Sequence, residues 1–227
     1  MEKYLAVLSQ CKLFQDIKAD DLLAMLSCMK AQTACYARNE TVFFEGNPAH
    51  QVGIVLSGRL QILRHAVCGN RSVIASFGPG QLFGEAFACA DVSTLPVSVI
   101  ATQDSEILFI DCQRILNVCT NACPFHMQLI TNLLRIIASR CIRFNQTLEV
   151  ITQPTTREKL LTFLSIQAHE AGSSSFTIPY NRQQLADYLG VSRSAMTTEL
   201  TRLKDDGWIC FEKNRFELLT MQSPSAD

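Results

Sequence analysis

The chain has 227 residues, 48% of them hydrophobic and 18% charged, with a mean hydropathy of +0.12. Soluble proteins average about 25% charged residues, so this composition excludes disorder and supplies a large core in one or two domains. Twenty basic against 21 acidic residues give a formal charge of −1, so bulk charge does not announce a nucleic-acid partner.

No run reaches the ~18 uncharged apolar residues that a spanning helix requires. The N-terminal Leu5-Ala6-Val7-Leu8 stretch is too short for a signal peptide, so a cytoplasmic protein is expected. Residues 1–30 read as short helices with a break near Asp16. Seven of the ten glycines then fall between Gly46 and Gly84. In and around that stretch short β-rich runs alternate with turn signals: Thr41–Phe44, Val52–Leu56, Leu60–Leu63, Ser72–Phe77, Val97–Ala101 and Glu106–Ile110. Strands at this spacing predict a closed or double-sheet antiparallel structure.

From Pro124 the period changes. Met127, Leu134, Cys141 and Leu148 recur every seven residues, with Thr131, Ala138 and Asn145 at the complementary positions. This is a heptad seam of about three repeats. A second apolar row, Ile130, Leu133, Ile137 and Phe144, lies on an adjacent face. A helix with two apolar faces buries one on its own domain and the other on a twin helix, and Asn145 favours a two-stranded parallel register. The predicted dimer interface is Met127, Leu134, Ala138, Cys141, Asn145 and Leu148; a helix buried wholly within one subunit is the alternative. Gln153-Pro154 ends it. The expected division is therefore 1–123, 124–152 and 153–227.

Within the last part, a helix is predicted over Thr156–His169, followed by a loop at Ala171–Ser175. Arg182 to Leu203 then carries a helix-turn-helix pattern. Leu185, Ala186 and Leu189 form the buried face of its first helix, Gly190 takes the positive-φ turn, and Ser192 caps the second. The inner face of that second helix is Ala195/Met196, Leu200 and Leu203. Arg193, Ser194, Thr197 and Thr198 are left at its outward N-terminal end, the positions that reach base edges when such a helix enters the major groove. Arg182 and Gln183 are placed to bond phosphates, with Arg202 further along. Trp208–Leu219 reads as a wing turned at Lys213-Asn214, with Lys213 and Arg215 available to the DNA backbone. An ordinary helical hairpin in a core is the alternative.

The whole chain resembles the Crp/Fnr superfamily of bacterial transcription regulators. The resemblance rests on Phe83-Gly84-Glu85-Ala86 after a Gly-x-Gly turn, on Pro96–Ala101, on the long helix and on the winged helix-turn-helix. It implies an α+β chain: an antiparallel β-roll effector domain, a dimerisation helix and a C-terminal DNA-binding domain. It further implies a homodimer on a pseudo-palindromic operator, with RNA polymerase as a further partner and no catalytic activity. In cyclic-nucleotide-binding members the cassette opened by Gly-Glu ends in Arg-Ser or Arg-Thr, and that arginine neutralises the phosphate. Leu95-Pro96 stands there instead, which would leave a buried phosphate unpartnered at a cost of several kcal/mol. Neither cAMP nor cGMP is therefore expected. Cys11, Cys28 and Cys35 do not match the spacing of iron–sulfur members, so no cluster is expected either. Many relatives place an arginine that reads guanine where Thr198 stands, so their half-site is not carried over.

The expected effector pocket is Gly84, Glu85, Ala86, Leu95, Pro96 and Val97 facing Cys141, Ile142 and Asn145, mostly apolar and suited to a small organic acid, an aromatic compound or a similar metabolite. Two alternatives remain. The ten cysteines contain no C-x-x-C pair, and reduced thiols used as small hydrophobes compete with a thiol-redox switch centred on Cys141. A cupin-like metal-dependent enzyme would need clustered histidines, but His50, His65, His126 and His169 lie far apart. From 153 to 227 there are eight basic and nine acidic residues, so any positive footprint for DNA must be local.

Overall fold

The computed structural model of the chain describes residues 2–65, 71–117 and 124–219. Cys68, the Cys119-x-x-x-Cys123 pair and the tail at Ser223–Asp227 lie outside these residues. The chain divides into two compact units, Met1–Ser139 and Arg140–Asp227, so the division falls inside the long helix.

The first unit opens with α1 (Leu5–Leu8) and α2 (Ala19–Cys28). The break between them is at Asp16, which takes φ +65°. Then come β1 (Gln32–Tyr36), β2 (Thr41–Phe43), β3 (Gln51–Ser57), β4 (Leu60–His65), β5 (Arg71–Phe77), β6 (Leu82–Phe83), α3 (Glu85–Cys89), β7 (Ser98–Ala101), β8 (Ser105–Asp111) and α4 (Cys112–Leu116). The strands form two antiparallel four-stranded sheets, ordered β1-β8-β3-β6 and β2-β7-β4-β5. Six of these strands match the predicted runs; β1 and β6 were not predicted.

Alternation explains the layers. In β8, Ile107 and Phe109 point between the sheets, where they meet Val42, Val55, Leu60, Phe83 and Val99. Leu108 and Ile110 point to the opposite face, against Leu8, Leu22, Leu26, Val52 and Ile54. A strand buried on both faces carries no polar alternation, which is why Ile107–Ile110 reads as a continuous apolar run. Gly53 is required by packing: a Cβ there would fall 2.2 Å from the Phe83 ring. That ring is surrounded by Phe43, Phe77 and Phe109, with centroids 5.6, 6.0 and 6.4 Å away.

The long helix α5 spans Pro124–Ile151. Leu129 and Leu133 are buried in the first unit's core, and Phe125, Ile136 and Ile137 pack partly against it. Two members of the predicted second row depart from expectation: Ile130 is only half-buried, and Phe144 is 62% exposed. Asn132 is buried in its place. Its amide donates to the Leu13 and Gln15 carbonyls at 3.1 and 2.8 Å and accepts from Gln128 at 3.0 Å. A buried polar group so completely paired fixes the helix against the N-terminal segment.

The second unit continues with α6 (Thr156–Ala171), β9 (Ser175–Thr177), α7 (Arg182–Leu189), α8 (Arg193–Asp205), β10 (Ile209–Glu212) and β11 (Arg215–Leu218). A reciprocal Thr155/Glu158 cap starts α6, and Gly172 ends it at φ +61°. Its core joins Val150, Phe163, Leu164, Leu185, Leu189, Met196, Leu200, Leu203, Ile209 and Phe216. The wing is a three-stranded sheet ordered β10-β11-β9. The third strand starts at the last residue of the expected Ala171–Ser175 loop, carries no strand signal in the sequence, and is held by Phe176 stacked on Phe216 at 6.3 Å.

Candidate functional site

Each turn of the helix-turn-helix is closed by its own residues. The Asn181 side chain accepts from the Gln184 N–H, and the Gln184 side chain accepts from the Asn181 N–H, both at 2.9 Å. This reciprocal cap starts α7. Gly190 ends it at φ +65°, where a side chain would be strained, and Lys159 Nζ donates to the freed Leu189 carbonyl at 3.2 Å. Ser192 Oγ then accepts from the Ala195 N–H at 3.2 Å to start α8. Neither Asn181 nor Lys159 was singled out from sequence, although Asn-x-x-Gln before an apolar run is a legible start signal.

Burial separates the two faces of α8. Met196, Leu200 and Leu203 are inside, whereas Arg193, Ser194, Thr197 and Thr198 are exposed together at its N-terminal end. Ala195, expected inside, is exposed as well. Thr197 Oγ1 donates to the Arg193 carbonyl at 2.8 Å, and Ser194 Oγ lies 3.2 Å from Ser192 Oγ. Both hydroxyls keep acceptor capacity facing outward.

The expected phosphate-binding residues divide. Arg182 is engaged in the wing: its guanidinium donates to the Lys213 carbonyl at 2.8 Å and lies over the rings of Phe211 and Phe216, 4.9 and 5.3 Å from their centroids. Burial lowers its pKa from the ordinary value. Gln183 donates to Asp187 at 2.8 Å. Arg202 pairs with Glu199 at 3.3 Å. Arg157 bridges Glu199 and Asp206 at 3.3 and 2.8 Å, and the Asp206 hydrogen bond, then the charges of both carboxylates, hold it more firmly protonated. Among the described residues, Arg193 and Lys213 form no ion pair and stand exposed. Among the described residues the near-neutral tally of this domain thus divides into braced cations, such as Arg157 and Arg182, and exposed cations without an ion pair, Arg193, Lys204, Lys213 and Arg215.

In the first unit, Gly84 takes φ +79° and packs its α-carbon against Phe43 and the Gln51 carbonyl, where a Cβ would lie 3.0 and 3.2 Å from them. Glu85 follows, fully buried at the start of α3. Ala86 is exposed. Leu95 is 3% exposed; its N–H donates to the Asn47 carbonyl at 2.8 Å and its carbonyl accepts from Gly46 at 2.9 Å. Pro96 is exposed and Val97 buried. Leu95 also borders a hollow of about 320 Å³ lined by Tyr36, Phe43, Phe44, Asn47 and Gln51. Cys141, Ile142 and Asn145 are exposed on α5. So are Met127, Leu134, Ala138 and Leu148, with Leu134 at 63%.

Comparison with known proteins follows these two patterns. A cyclic nucleotide-binding domain model matches residues 34–122, and a Crp-like helix-turn-helix domain model matches 158–223. The chain belongs to the Crp/Fnr superfamily of transcription regulators. It is 26% identical over 211 residues to a "CRP-like cAMP-activated global transcriptional regulator" of Mycobacterium tuberculosis, covering 91% of each chain. Among solved structures, the c-di-GMP-responsive global regulator CLP of Xanthomonas campestris shares the fold at TM-score 0.52 and 19% identity, over 90% of this chain and 100% of that one. DNR from Pseudomonas aeruginosa does so at TM-score 0.50 and 20% identity, over 97% and 96%.

Membership in the superfamily sharpens one departure. No Lys or Arg occurs between Arg71 and Arg114, whereas Glu85, Asp91, Asp104, Glu106 and Asp111 do. The cassette from Gly84 to Val97 therefore supplies no cation for a phosphodiester, and Leu95, expected at the arginine's position, is a buried alkyl group whose backbone is tied to the 46–47 turn. The residues present do not fit a cyclic nucleotide phosphate. Among the described residues no helix is long and apolar enough to cross a membrane.

Proposed function

We propose that this DNA-binding regulator acts as a homodimer in the cytoplasm, and that an uncharged small molecule held by its β-roll sets its operator affinity. The observation that carries the DNA-reading half is the exposed Arg193/Ser194/Thr197/Thr198 face opposite the buried Met196, Leu200 and Leu203. These side chains are of the types that bond base edges and phosphates, while Lys213 serves the DNA backbone from the wing. Dimerisation is supported by the exposed heptad row Met127, Leu134, Cys141 and Leu148, with Ala138 and Asn145 beside it. Exposed apolar side chains at this period are what a parallel partner helix covers. Two half-sites one helical turn apart follow from the two-fold axis, and RNA polymerase is the further partner such a regulator addresses.

The uncharged character of the effector is argued from the cassette. Gly84, Glu85, Ala86, Leu95, Pro96 and Val97 offer apolar surface and one carboxylate. Activation by cAMP, named for the Mycobacterium tuberculosis relative, is not carried over. Effector binding would act by linkage, shifting operator affinity by about 1–3 kcal/mol.

Mobility-shift titration on the region upstream of the protein's own gene tests the first half. A shift competed by the same sequence and not by a scrambled one is expected; no specific shift at any salt concentration overturns it. Thermal melting with cAMP and cGMP tests the second. No rise in midpoint is expected, and a saturable rise would reinstate the nucleotide.

A further inference from the structure

Cys89 Sγ and Cys112 Sγ lie 3.3 Å apart, although 23 residues separate them in sequence. Cys89 ends α3, the short helix that begins with Glu85, and Cys112 begins α4 directly after β8. Backbone hydrogen bonds fix both ends: Ala88 N–H donates to the Gly84 carbonyl at 3.0 Å, and Cys112 N–H donates to the His50 carbonyl at 2.9 Å. Register pairing of Gln51 with Asp111 holds the same corner. The two thiols are therefore preformed neighbours.

Their surroundings differ. Cys112 is 1% exposed within the core, whereas Cys89 sits half-buried at its edge, where a small solute can reach it. A hydrogen bond from the Cys112 thiol lowers Cys89 to about 7 against the opposing effect of burial. The same contact raises Cys112, as do burial, the Cys89 charge and the nearby carboxylates of Asp111 and Asp91. His50 lies 3.6 Å from Asp91 on the same side. An attacking thiolate at the surface beside a protonated, sheltered partner is the arrangement that thiol oxidation needs.

We propose that Cys89 and Cys112 form a two-electron redox couple, with Cys89 oxidised by hydroperoxides and Cys112 resolving it to an intrachain disulfide. In the first step the Cys89 thiolate attacks the peroxide's distal oxygen, the O–O bond breaks, and with one proton taken up an alcohol or water leaves, giving Cys89 sulfenic acid. In the second, the Cys112 sulfur attacks the Cys89 sulfur; the S–OH bond breaks, and the hydroxide takes the Cys112 proton and leaves as water. Two thiols and one hydroperoxide thus yield one disulfide, one alcohol and one water. The sulfurs close from 3.3 Å to about 2.05 Å. The bond ties α3, and with it Glu85, to the β8–α4 corner. Oxidation thereby acts on the cassette through a residue pair distinct from Cys141, and its chemistry is readable without DNA or effector.

The test treats the reduced full-length protein with hydrogen peroxide, blocks remaining thiols with N-ethylmaleimide and digests without reductant. No basic residue separates the two cysteines, so trypsin leaves them on one peptide; cleavage before Asp91 and Asp111 puts them on two. A linked Cys89–Cys112 peptide pair that dithiothreitol releases is expected. Cys89 should be lost roughly fivefold faster than the exposed Cys28 and Cys35 at pH 7. In Cys112→Ala, the sulfenic acid at Cys89 should persist and be trapped by dimedone. Oxidation of Cys28 and Cys35 without the link overturns the proposal. So does a Cys89 link to any other cysteine, or equal over-oxidation of Cys89 in wild type and Cys112→Ala.

Discussion

The Arg182 guanidinium donates to the Lys213 carbonyl at 2.8 Å, joining the first residue of α7 to the turn of the wing. Lys213 itself takes φ +52°, a conformation that L-residues adopt at a cost of about 1–2 kcal/mol. A charge-assisted hydrogen bond and two ring faces at 4.9 and 5.3 Å hold that turn in place. The wing is thereby set relative to α7 and α8 before DNA is present, which limits the conformational entropy lost on binding.

Arg182→Ala should therefore destabilise the second unit by about 1–2 kcal/mol. Arg182→Lys should recover only part, because an ammonium lacks the planar fork. Urea unfolding followed by the fluorescence of Trp208, the single tryptophan, measures both.

Arg193→Ala and Thr198→Ala remove exposed side chains. Each should weaken operator binding by about 1–3 kcal/mol and leave the unfolding midpoint within about 0.5 kcal/mol of wild type. Met196→Ala, on the buried face of the same helix, should instead cost about 2–5 kcal/mol of stability. Paired mobility-shift and urea titrations separate the two effects.

Leu134 is 63% exposed in the single chain, at the centre of the heptad row. Leu134→Arg should convert a dimer into a monomer in sedimentation equilibrium while both units stay folded by circular dichroism. Operator affinity should fall with it, because each half-site then binds alone.

Asn132→Ala withdraws the amide that serves the Leu13 and Gln15 carbonyls. A loss of about 2 kcal/mol is expected in the first unit, with faster hydrogen exchange in α1 and the turn that follows it.

The Cys89 thiol is lowered on folding from 9.0 to about 7 by its hydrogen bond with Cys112. Its depressed value makes a stabilising contribution that is full above about pH 9 and lost as pH falls through about 7. Iodoacetamide labelling of Cys89, read by mass spectrometry, should accordingly rise with a midpoint near pH 7. In Cys112→Ala that midpoint should move up toward the ordinary thiol range.

Local periodicity was readable because each element answers to its own few residues. The Gly190 turn, the Ser192 cap, the wing between Trp208 and Leu219, and the heptad spacing from Met127 to Leu148 all follow from the chain order alone. Among the strands that escaped it are β1 and β9. β1, with polar and small residues over Gln32–Tyr36, has no apolar alternation and forms through pairing with β8 at the sheet edge. β9 has three residues at the end of a serine-rich loop and forms because Phe176 finds Phe216. Neither partner is near in sequence.

The functional residues divide the same way. Sequence by itself determined that Arg193, Ser194, Thr197 and Thr198 share the outer face of α8, and that Leu95-Pro96 brings no charge to the cassette. Only the tertiary structure decided that Arg182 braces the wing, that Asn132 is buried, and that Cys89 meets Cys112 while Cys141, expected on a dimer seam, is exposed in the single chain. Helical and strand periods fix which side of an element a residue occupies. Which other element covers that side is set by sheet register and core packing across long separations, and no local period encodes those contacts.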